Sequence, residues 1–489
     1  MRKIIENQMQ LGEVNISNIK FDIRSRDEIP KLLIGLQYIY SNTKIRKQIF
    51  EILKEIVPEK INVNDGRPGM VLWRILVLGT LRLCCDWDYD RLREMANNHG
   101  KIREMLGHGL KDESYIYALQ TLKDNIGLFT PEILNKINTI VVHAGQEFLN
   151  KKKDEKLKGR CDSFVVETNV HFPTDISLLL DAIRKIIILI SAACLKTEIL
   201  GWRQKNYNLS QIKKYFHKAR NARRSRAKSE IRKAKKVENI REAHIAYLNL
   251  VVSFLSKAEK ALTDLLGHSD FPATECERIA HFISLAKILI NQIERRVLKG
   301  EVIPHEEKIF SIFEEHTEWI CKGKAGVPQE LGLRVCILED QNGFILEHLV
   351  MEKETDDKVA IKIVQAAKKN FPFLSSCSFD KGFYSPSNRT ELRTILKTLI
   401  MPKKGKLSLL DKKEENSAEF VLSRRQHSAV ESAINALENH SLNRCPDKGI
   451  DGFKRYVGLA VLARNLQIFG VKIQQKEFKK LKRRQRLAA

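Results

Sequence analysis

A single strand-like segment, residues 161–167, stands between two long helical stretches, and its isolation strongly constrains the fold. Further strand-like segments follow only after Pro304. They are residues 309–313, 331–338, 344–350, a segment that ends at Phe379, and residues 399–401. Asn342-Gly343 predicts a hairpin turn, and Pro173-Thr174-Asp175 predicts the start of a helix. Helical patterns over residues 356–369 and 385–396, the latter begun by Ser385-Pro386, separate the later strands. The first strand must therefore pair with partners that lie far along the chain.

The block between the first strand and the later ones is helical and basic, which is typical of an insertion. Without it, the order is three strands, then helix, strand, helix, strand and helix, which is the order of an RNase H-like core. We therefore predict an α/β fold in which an RNase H-like mixed sheet core is interrupted by a helical insertion, with an all-α N-terminal region and a basic C-terminal tail.

The predicted segments follow from these changes of pattern. They are a helical N-terminal DNA-binding region (1–150), the first part of the core (151–200), the basic helical insertion (201–305), the second part of the core (306–470) and the basic tail (471–489). The short N-terminal helices after the turn at residues 65–69 fit either a helix-turn-helix DNA reader or a plain helical bundle. Both interpretations stay open.

The chain carries 85 lysines and arginines against 60 acidic residues, a formal net charge of +25 in 489 residues. Such an excess favours a polyanionic partner, nucleic acid first and an anionic membrane surface second. The longest apolar run, residues 186–195, is too short to span a bilayer, and the N-terminus lacks an apolar signal core. Nine cysteines without a CxxC pair are typical of core residues in a reducing compartment. We expect a cytoplasmic, nucleoid-associated protein.

The strongest positive patch is the run of residues 213–236, where twelve lysines and arginines accompany one acid, Glu230. It predicts phosphate contacts along a helix, although a solvated charged helix would have the same composition. Lys403 and Lys404 follow a core strand and could hold substrate backbone, or simply form a loop. Trp202 suits either base stacking or, more commonly, core packing. The DNA-binding candidates are Lys213, Lys214, Lys218, Arg220, Arg223, Arg224, Arg226, Lys403 and Lys404.

Two aspartates occupy chemically unusual places. Asp162 sits within an otherwise apolar strand, where an unpaired carboxylate is costly. Asp380 ends a later strand, just before Lys381 and Gly382. In the predicted fold these two strands are neighbours, so the two side chains would lie side by side. Phosphodiester cleavage by two divalent ions needs such oxygen ligands.

A third carboxylate comes from a late helix. Val430, Ile434 and Leu437 form its apolar stripe, and a polar stripe lies beside it. That polar stripe, which is also consistent with simple solvation, consists of His427, Glu431, Asn435 and Glu438. We predict that Asp162, Asp380 and Glu431 are the catalytic, metal-binding residues. Glu438 is a rival for the third position, and Glu167 and Asp175 are weaker rivals for the first.

Several phrases together resemble bacterial insertion-sequence transposases of the DDE type. They are residues 162–169 with 173–175, residues 380–385 and residues 430–432, supported by residues 452–466, which are similar to the closing helix of that family, and by Gly66-Arg67-Pro68 in the N-terminal region. The chain departs from the family pattern at Ser163, where many relatives have threonine, and at residues 331–334, where a glycine-tyrosine-lysine phrase is common.

The resemblance implies an RNase H-like core that holds two Mg²⁺ or Mn²⁺ ions on Asp162, Asp380 and Glu431. It also implies an enzyme that cuts double-stranded DNA at the terminal inverted repeats of an element and joins the freed 3′-OH to target DNA, with a homodimer pairing the two ends. Two alternatives remain: a structure-selective nuclease on the same core that never joins ends, and a derivative that binds DNA without cutting it.

Overall fold

The computed structural model describes residues 14–57, 69–109, 115–149, 156–224, 229–268, 270–321 and 329–488. The chain forms two compact units: Met1–Asn169 with Glu318–Ala489, here called the sheet unit, and Val170–Thr317, here called the helical unit. The helical unit thus starts earlier and ends later than the predicted insertion, 201–305. The protein is a mixed α/β protein, mostly helical, as the sequence predicts.

The N-terminal region of the sheet unit is all-helical, as predicted, and local signals fix its helix ends. Asp27, Asn42, Asp88 and Thr130 cap four of the helices with side-chain oxygens that accept backbone N–H groups. The helices are α1 (Glu28–Ser41), α2 (Thr43–Lys54), α3 (Leu72–Cys84), α4 (Tyr89–Asn98), α5 (Gly100–Met105), α6 (Leu119–Ile126) and α7 (Pro131–Phe148). The predicted turn at residues 65–69 and the Gly66-Arg67-Pro68 phrase lie outside the described residues, apart from Gly69.

A seven-stranded mixed sheet follows. Its strands are β1 (Leu157–Thr168), β2 (Glu318–Cys321), β3 (Gln329–Glu339), β4 (Ile345–Met351), β5 (Leu374–Phe379), β6 (Thr398–Ile400) and β7 (Arg444–Cys445). The main order is β2-β3-β1-β5-β6, with β4 paired to β3 and β7 paired to β1. β3 is antiparallel to β1 and β4, whereas β5 is parallel to both β1 and β6. Asn342 and Gly343 form the predicted hairpin turn, with Gly343 at a positive φ of 86°.

One predicted strand is wrong. Residues 309–313 are irregular, and the first strand after the helical unit is β2. Ile312 is buried in the core of the helical unit, so its apolar neighbourhood reflects packing against helices and not pairing in a sheet. A short apolar run does not by itself distinguish these two outcomes.

The C-terminal half of the sheet unit adds helices around the sheet. They are α12 (Asp356–Asn370), α13 (Pro386–Ile395), α14 (Leu409–Glu415), α15 (Ala418–His427), α16 (Ala429–Leu437) and α17 (Gly449–Ala488). As predicted, Ser385 caps α13 and Pro386 is its first residue. α17 crosses α1 at very close range, because a Cβ atom on Gly470 would lie 1.8 Å from the Lys31 carbonyl oxygen.

The predicted basic tail is the end of α17 and not a separate segment. Its first part is packed: Gln474 is buried and donates to the Ser25 carbonyl, and the Lys476 ammonium lies 4.4 Å from the Phe148 ring centroid. Within the described ranges one helix, over Gly449–Leu487, is apolar and long enough to cross a bilayer, but 72% of its apolar window is buried inside the protein. A core helix passes the same length and composition test, so this finding is weak evidence either way.

The helical unit has its own hydrophobic core, made by four helices. They are α8 (Asp175–Thr197), α9 (Lys205–Arg224), α10 (Glu230–Leu266) and α11 (Ala273–Ile293). Thr174 caps α8 with a reciprocal bond to Ser177, as the phrase at residues 173–175 predicts. Trp202 is only 3% exposed, with Lys257 over its ring, so core packing and not base stacking accounts for it. All nine cysteines are described and are free thiols.

Candidate active site

The sheet register brings Asp162 and Asp380 to the same place. β1 and β5 run parallel, and Cys161 is paired with Phe379. Asp162 and Asp380 therefore each follow a member of this pair, and neighbouring strands in a sheet lie about 4.8 Å apart. β5 ends at Phe379, and Asp380 begins the turn that follows. The two aspartates thus stand where the paired part of β1 and β5 ends.

A gap in the sheet opens at this point. β1 pairs with β5 only up to Cys161 and with β7 only from Glu167, while β3 pairs with its other side throughout. On the β5 side, residues 162–166 of β1 face no other strand among the described residues. A cavity of about 500 Å³ lies here, and residues 162–165 form part of its lining. The gap therefore exposes the Asp162 carboxylate to ligands.

Helix α16 closes another side of the cavity. It packs against β1, with Val430 and Leu437 fully buried beneath it. Its polar face contributes Glu431 and Asn435, and Glu438, the residue after the helix, also lines the cavity. The fourth member of the predicted polar stripe, His427, is bonded instead to β5, with its Nδ1 atom 2.9 Å from Ser378 Oγ. Most of the polar stripe therefore faces a cavity.

Five carboxylates surround the cavity: Asp162, Asp356, Asp380, Glu431 and Glu438. None of them forms an ion pair with any residue in the described ranges. Arg334 of β3, opposite Val165 in the register, is the single cation among the described lining residues, and it has no ion pair there either. Within the described ranges, the site is therefore an acidic cavity in which no ion pair neutralises the carboxylates.

This charge shows in the protonation of Asp162. Burial, together with the negative charges of Asp380, Asp356 and Glu431, raises the pKa of its carboxyl to about 6. The backbone N–H of Ser163, which donates to Asp162 Oδ1 at 2.7 Å, acts in the opposite direction. A cation in the cavity would relieve both the burial cost and the mutual repulsion.

The donor set fits a hard divalent cation such as Mg²⁺ or Mn²⁺, since it consists of carboxylate oxygens without ion pairs. The side chains are not gathered into a closed coordination sphere. Within the described part of the chain, no group of three or more His, Cys, Asp and Glu side chains has its donors close enough to hold an ion. Mg²⁺ characteristically keeps several waters and takes few protein carboxylates, so a shared cavity is compatible with it.

The rival acids differ in their surroundings. Glu438 lines the cavity with Glu431 and remains a candidate for the third position. Glu167 is paired with Arg444 at 2.9 Å, and it does not line the cavity. Asp175 belongs to the helical unit, where it pairs with Arg296 at 3.0 Å. Ion pairing thus occupies both rivals for the first position.

The predicted DNA contacts lie in two places. On α9, the side chains of Lys213, Lys214, Lys218, Arg223 and Arg224 are exposed, while Arg220 is half-buried over the Phe216 ring. Arg226 lies outside the described residues. In the sheet unit, the Lys403 ammonium donates to Asp411 at 2.6 Å, whereas Lys404 is exposed. Lys403 is therefore engaged within the protein, and Lys404 is the better placed of the two for a phosphate.

Sequence reasoning missed Asp356. It is the first residue of α12, where an acid is ordinary because it faces the positive end of the helix dipole, so the sequence carried no distinguishing signal. Arg334 was noticed only as a departure from a family phrase. Comparison with protein-family models, with curated proteins and with solved structures finds no match for this chain.

Proposed function

We propose that the protein is a DDE-type DNA transposase, which cleaves phosphodiester bonds at the ends of an insertion sequence and transfers the 3′-OH to target DNA. One observation carries the proposal. Asp162, Asp380 and Glu431, which come from two adjacent strands and a late helix, line one cavity without ion pairs. Unpaired acids converging in a cavity are typical of functional sites, because a folded protein gains nothing from their mutual repulsion.

The strand order supports the finer assignment of the fold. The strands β4, β3, β1, β5 and β6 lie in that order, with β3 antiparallel to both of its neighbours. β1 therefore lies next to the strand after α12, as the RNase H-like interpretation requires. The helical unit interrupts the chain between β1 and the remaining strands.

The charge of the chain supports a nucleic-acid substrate. The net charge of +25 contrasts with the acidic cavity, and the exposed lysines and arginines of α9 form a positive surface on the helical unit. Arg334 has no ion pair among the described residues, so its guanidinium is available to a phosphate. The phosphates of the nucleic acid would thus contact lysine and arginine side chains, while the carboxylates of the cavity hold the divalent ions.

Asp162, Asp380 and Glu431, or Glu438 in place of the last, would hold the divalent ions. When bound, such ions activate an oxygen nucleophile and stabilise the leaving oxygen of a phosphodiester. A bound cation would lower the pKa of the Asp162 carboxyl, which is about 6 without one, and would so favour its charged form. The gap beside β1 leaves this carboxylate open to the substrate.

The test supplies the protein with Mn²⁺ or Mg²⁺, DNA carrying the inverted repeats that flank its gene, and a target DNA. We expect cleavage at the repeat ends followed by joined product, and loss of both with Asp380→Ala. Nicks without joining would favour the nuclease, and binding without cleavage would favour the inactive derivative. Cleavage that persists in Asp380→Ala would refute the assignment of the site.

The third acid is tested by a matched pair. Glu431→Gln and Glu438→Gln each remove one charge from the same side of the cavity. We expect the first to abolish cleavage and the second to weaken it at most about tenfold. The reverse order would move the third position to Glu438. Pairing of two ends by a homodimer stays a prediction.

A further inference from the structure

Asp356 makes a contact that its place at a helix start does not explain. Its Oδ1 atom accepts a hydrogen bond of 2.6 Å from the Ser163 hydroxyl, across 193 positions of sequence. The backbone N–H of that same serine donates to Asp162 at 2.7 Å. A chain of two short hydrogen bonds therefore connects α12 to Asp162 of β1.

The other carboxylate oxygen of Asp356 faces the turn after Asp380. A Cβ atom on Gly382 would lie 2.9 Å from Asp356 Oδ2, which is closer than such atoms approach each other. α12 packs against this turn, Lys381–Phe383, along its own first residues. The absence of a side chain at Gly382 thus lets one carboxylate reach the two segments that carry Asp162 and Asp380.

Among the described residues, the gap beside β1 leaves part of one edge of this strand without hydrogen bonds to a neighbouring strand, so the bond from Ser163 to Asp356 supplies a restraint there. Residues 162–166 lack a strand neighbour on the β5 side within the described ranges, so the sheet ladder does not fix this edge. The carboxylates of Asp162, Asp380 and Glu431 repel one another, so they would tend to turn away from the cavity. A hydrogen bond from Ser163 to a fixed acceptor restrains the backbone next to Asp162 against that tendency.

We infer that Asp356 is a positioning residue of the acidic cavity, which holds Asp162 for cation binding through the Ser163 hydroxyl, and that glycine at position 382 leaves room for the Asp356 carboxylate. This inference rests on the proposed function, since it concerns the same site. Asp356 acts here through another residue and is not itself assigned as a ligand.

The matched control is Asp357, the next residue of α12. Asp357→Ala removes the same side chain from the same helix start, and the Asp357 carboxylate accepts from Thr355 and not from Ser163. The variants to compare with it are Asp356→Ala, which leaves no acceptor for the Ser163 hydroxyl, Ser163→Ala, Ser163→Thr and Gly382→Ala. Melting temperatures identify any variant that fails to fold.

The readout is Mn²⁺ binding to the full chain without DNA, measured by calorimetry and by the electron paramagnetic resonance signal of free Mn²⁺. We expect Asp356→Ala and Ser163→Ala each to weaken binding by about 10- to 100-fold, as loss of the hydrogen-bond partner of a metal ligand does. The double variant should be no weaker than either single variant. Ser163→Thr, which keeps the hydroxyl, and Asp357→Ala should bind as the unaltered protein does. Gly382→Ala should weaken binding by a smaller factor.

Three outcomes with these variants would overturn the inference, and a fourth concerns Asp162. Asp356→Ala could bind Mn²⁺ normally, or the effects of Asp356→Ala and Ser163→Ala could multiply in the double variant. Ser163→Ala could also bind normally while Asp356→Ala does not, which would make Asp356 a direct ligand. In each case, Mn²⁺ binding that still depends on Asp162 leaves the proposed function standing. Mn²⁺ binding that is insensitive to Asp162→Asn would overturn the inference, and the DNA cleavage assay would judge the proposed function separately.

Discussion

Two clusters of charged residues in the sheet unit show opposite arrangements. Around Asp411, every carboxylate has a cation: Arg389 and Lys403 each donate to Asp411 at 2.6 Å, and Arg389 and Arg393 donate to Glu414. In the acidic cavity, five carboxylates have no ion pair among the described residues. The pKa of Asp411 is lowered by its bonds to Lys403, Ser408 and Arg389, whereas the pKa of Asp162 is raised to about 6.

The difference separates a structural role from a functional one. The Asp411 cluster joins α13, the loop at residues 402–408 and α14, so its bonds hold elements together. The acids of the cavity repel one another, and their grouping costs stability unless a ligand compensates it. Clusters of the same residue types thus differ in whether the chain supplies the opposite charge.

The largest expected effect comes from comparing Asp162→Asn with Asp411→Asn. Asp162→Asn removes an unpaired charge yet keeps an oxygen that accepts from Ser163, so the melting temperature should hold or rise while DNA cleavage falls by about 10³-fold or more. Asp411→Asn loses its ion pairs, so the melting temperature should fall by several degrees. Calorimetry and a cleavage assay measure both. A much lower melting temperature for Asp162→Asn would make Asp162 structural and remove the contrast.

A smaller effect is the opposite pH dependence of the two carboxylates, measured by thermal melting in chelator from about pH 2 to pH 8. The folded pKa of Asp162 lies above the usual 3.8, so its contribution is present below about pH 4 and lost as pH rises through 6. The stability gained by Asp162→Asn should therefore grow with pH, to the order of 1–3 kcal/mol at neutral pH.

Asp411 should behave in the reverse way. Its folded pKa is lowered, so its contribution is present above the usual pKa of 3.8 and lost on further acidification. The deficit of Asp411→Asn should be full at neutral pH and shrink in strong acid. Parallel pH profiles for the two variants would show that the clusters do not differ as described.

The smallest expected effect separates two adjacent lysines. Lys404→Gln should leave the melting temperature unchanged and reduce the salt dependence of DNA binding by about one unit of slope, as loss of one phosphate contact does. Lys403→Gln should lower the melting temperature, because it breaks the bond to Asp411, and should leave the salt slope nearly unchanged. Titrations at several salt concentrations measure the slopes, and a slope for Lys404→Gln equal to that of the unaltered protein would show that Lys404 does not contact DNA.

The predictions that held depended on local signals. The hairpin at Asn342-Gly343, the Ser385-Pro386 start of α13 and the Thr174 cap of α8 are each fixed by a few neighbouring residues. The strand carrying Asp162 and the helix carrying Glu431 were also placed correctly. Periodicity indicated these elements because their buried faces repeat at the spacing of a strand or a helix.

The predictions that failed depended on distant contacts. Residues 309–313 form no strand, because Ile312 packs into the core of the helical unit, and the basic tail is helical because α17 continues through it. In addition to these two outcomes, the packing of α8 against α9, α10 and α11 makes the helical unit begin at Val170, which no local pattern announces. Asp356 resembled any acid at a helix start until the structure placed it beside Ser163.

The sequence by itself determined where most of the helices and the main strands form, and it drew attention to three acids, because propensity, capping and hydrophobic period act over a few residues. Only the tertiary structure decided that those acids share a cavity with Asp356 and Glu438 while Glu167 and Asp175 are ion-paired elsewhere. The reason is physical: the register of β1 against β5, and the gap where that pairing ends, arise from contacts between residues that lie far apart along the chain.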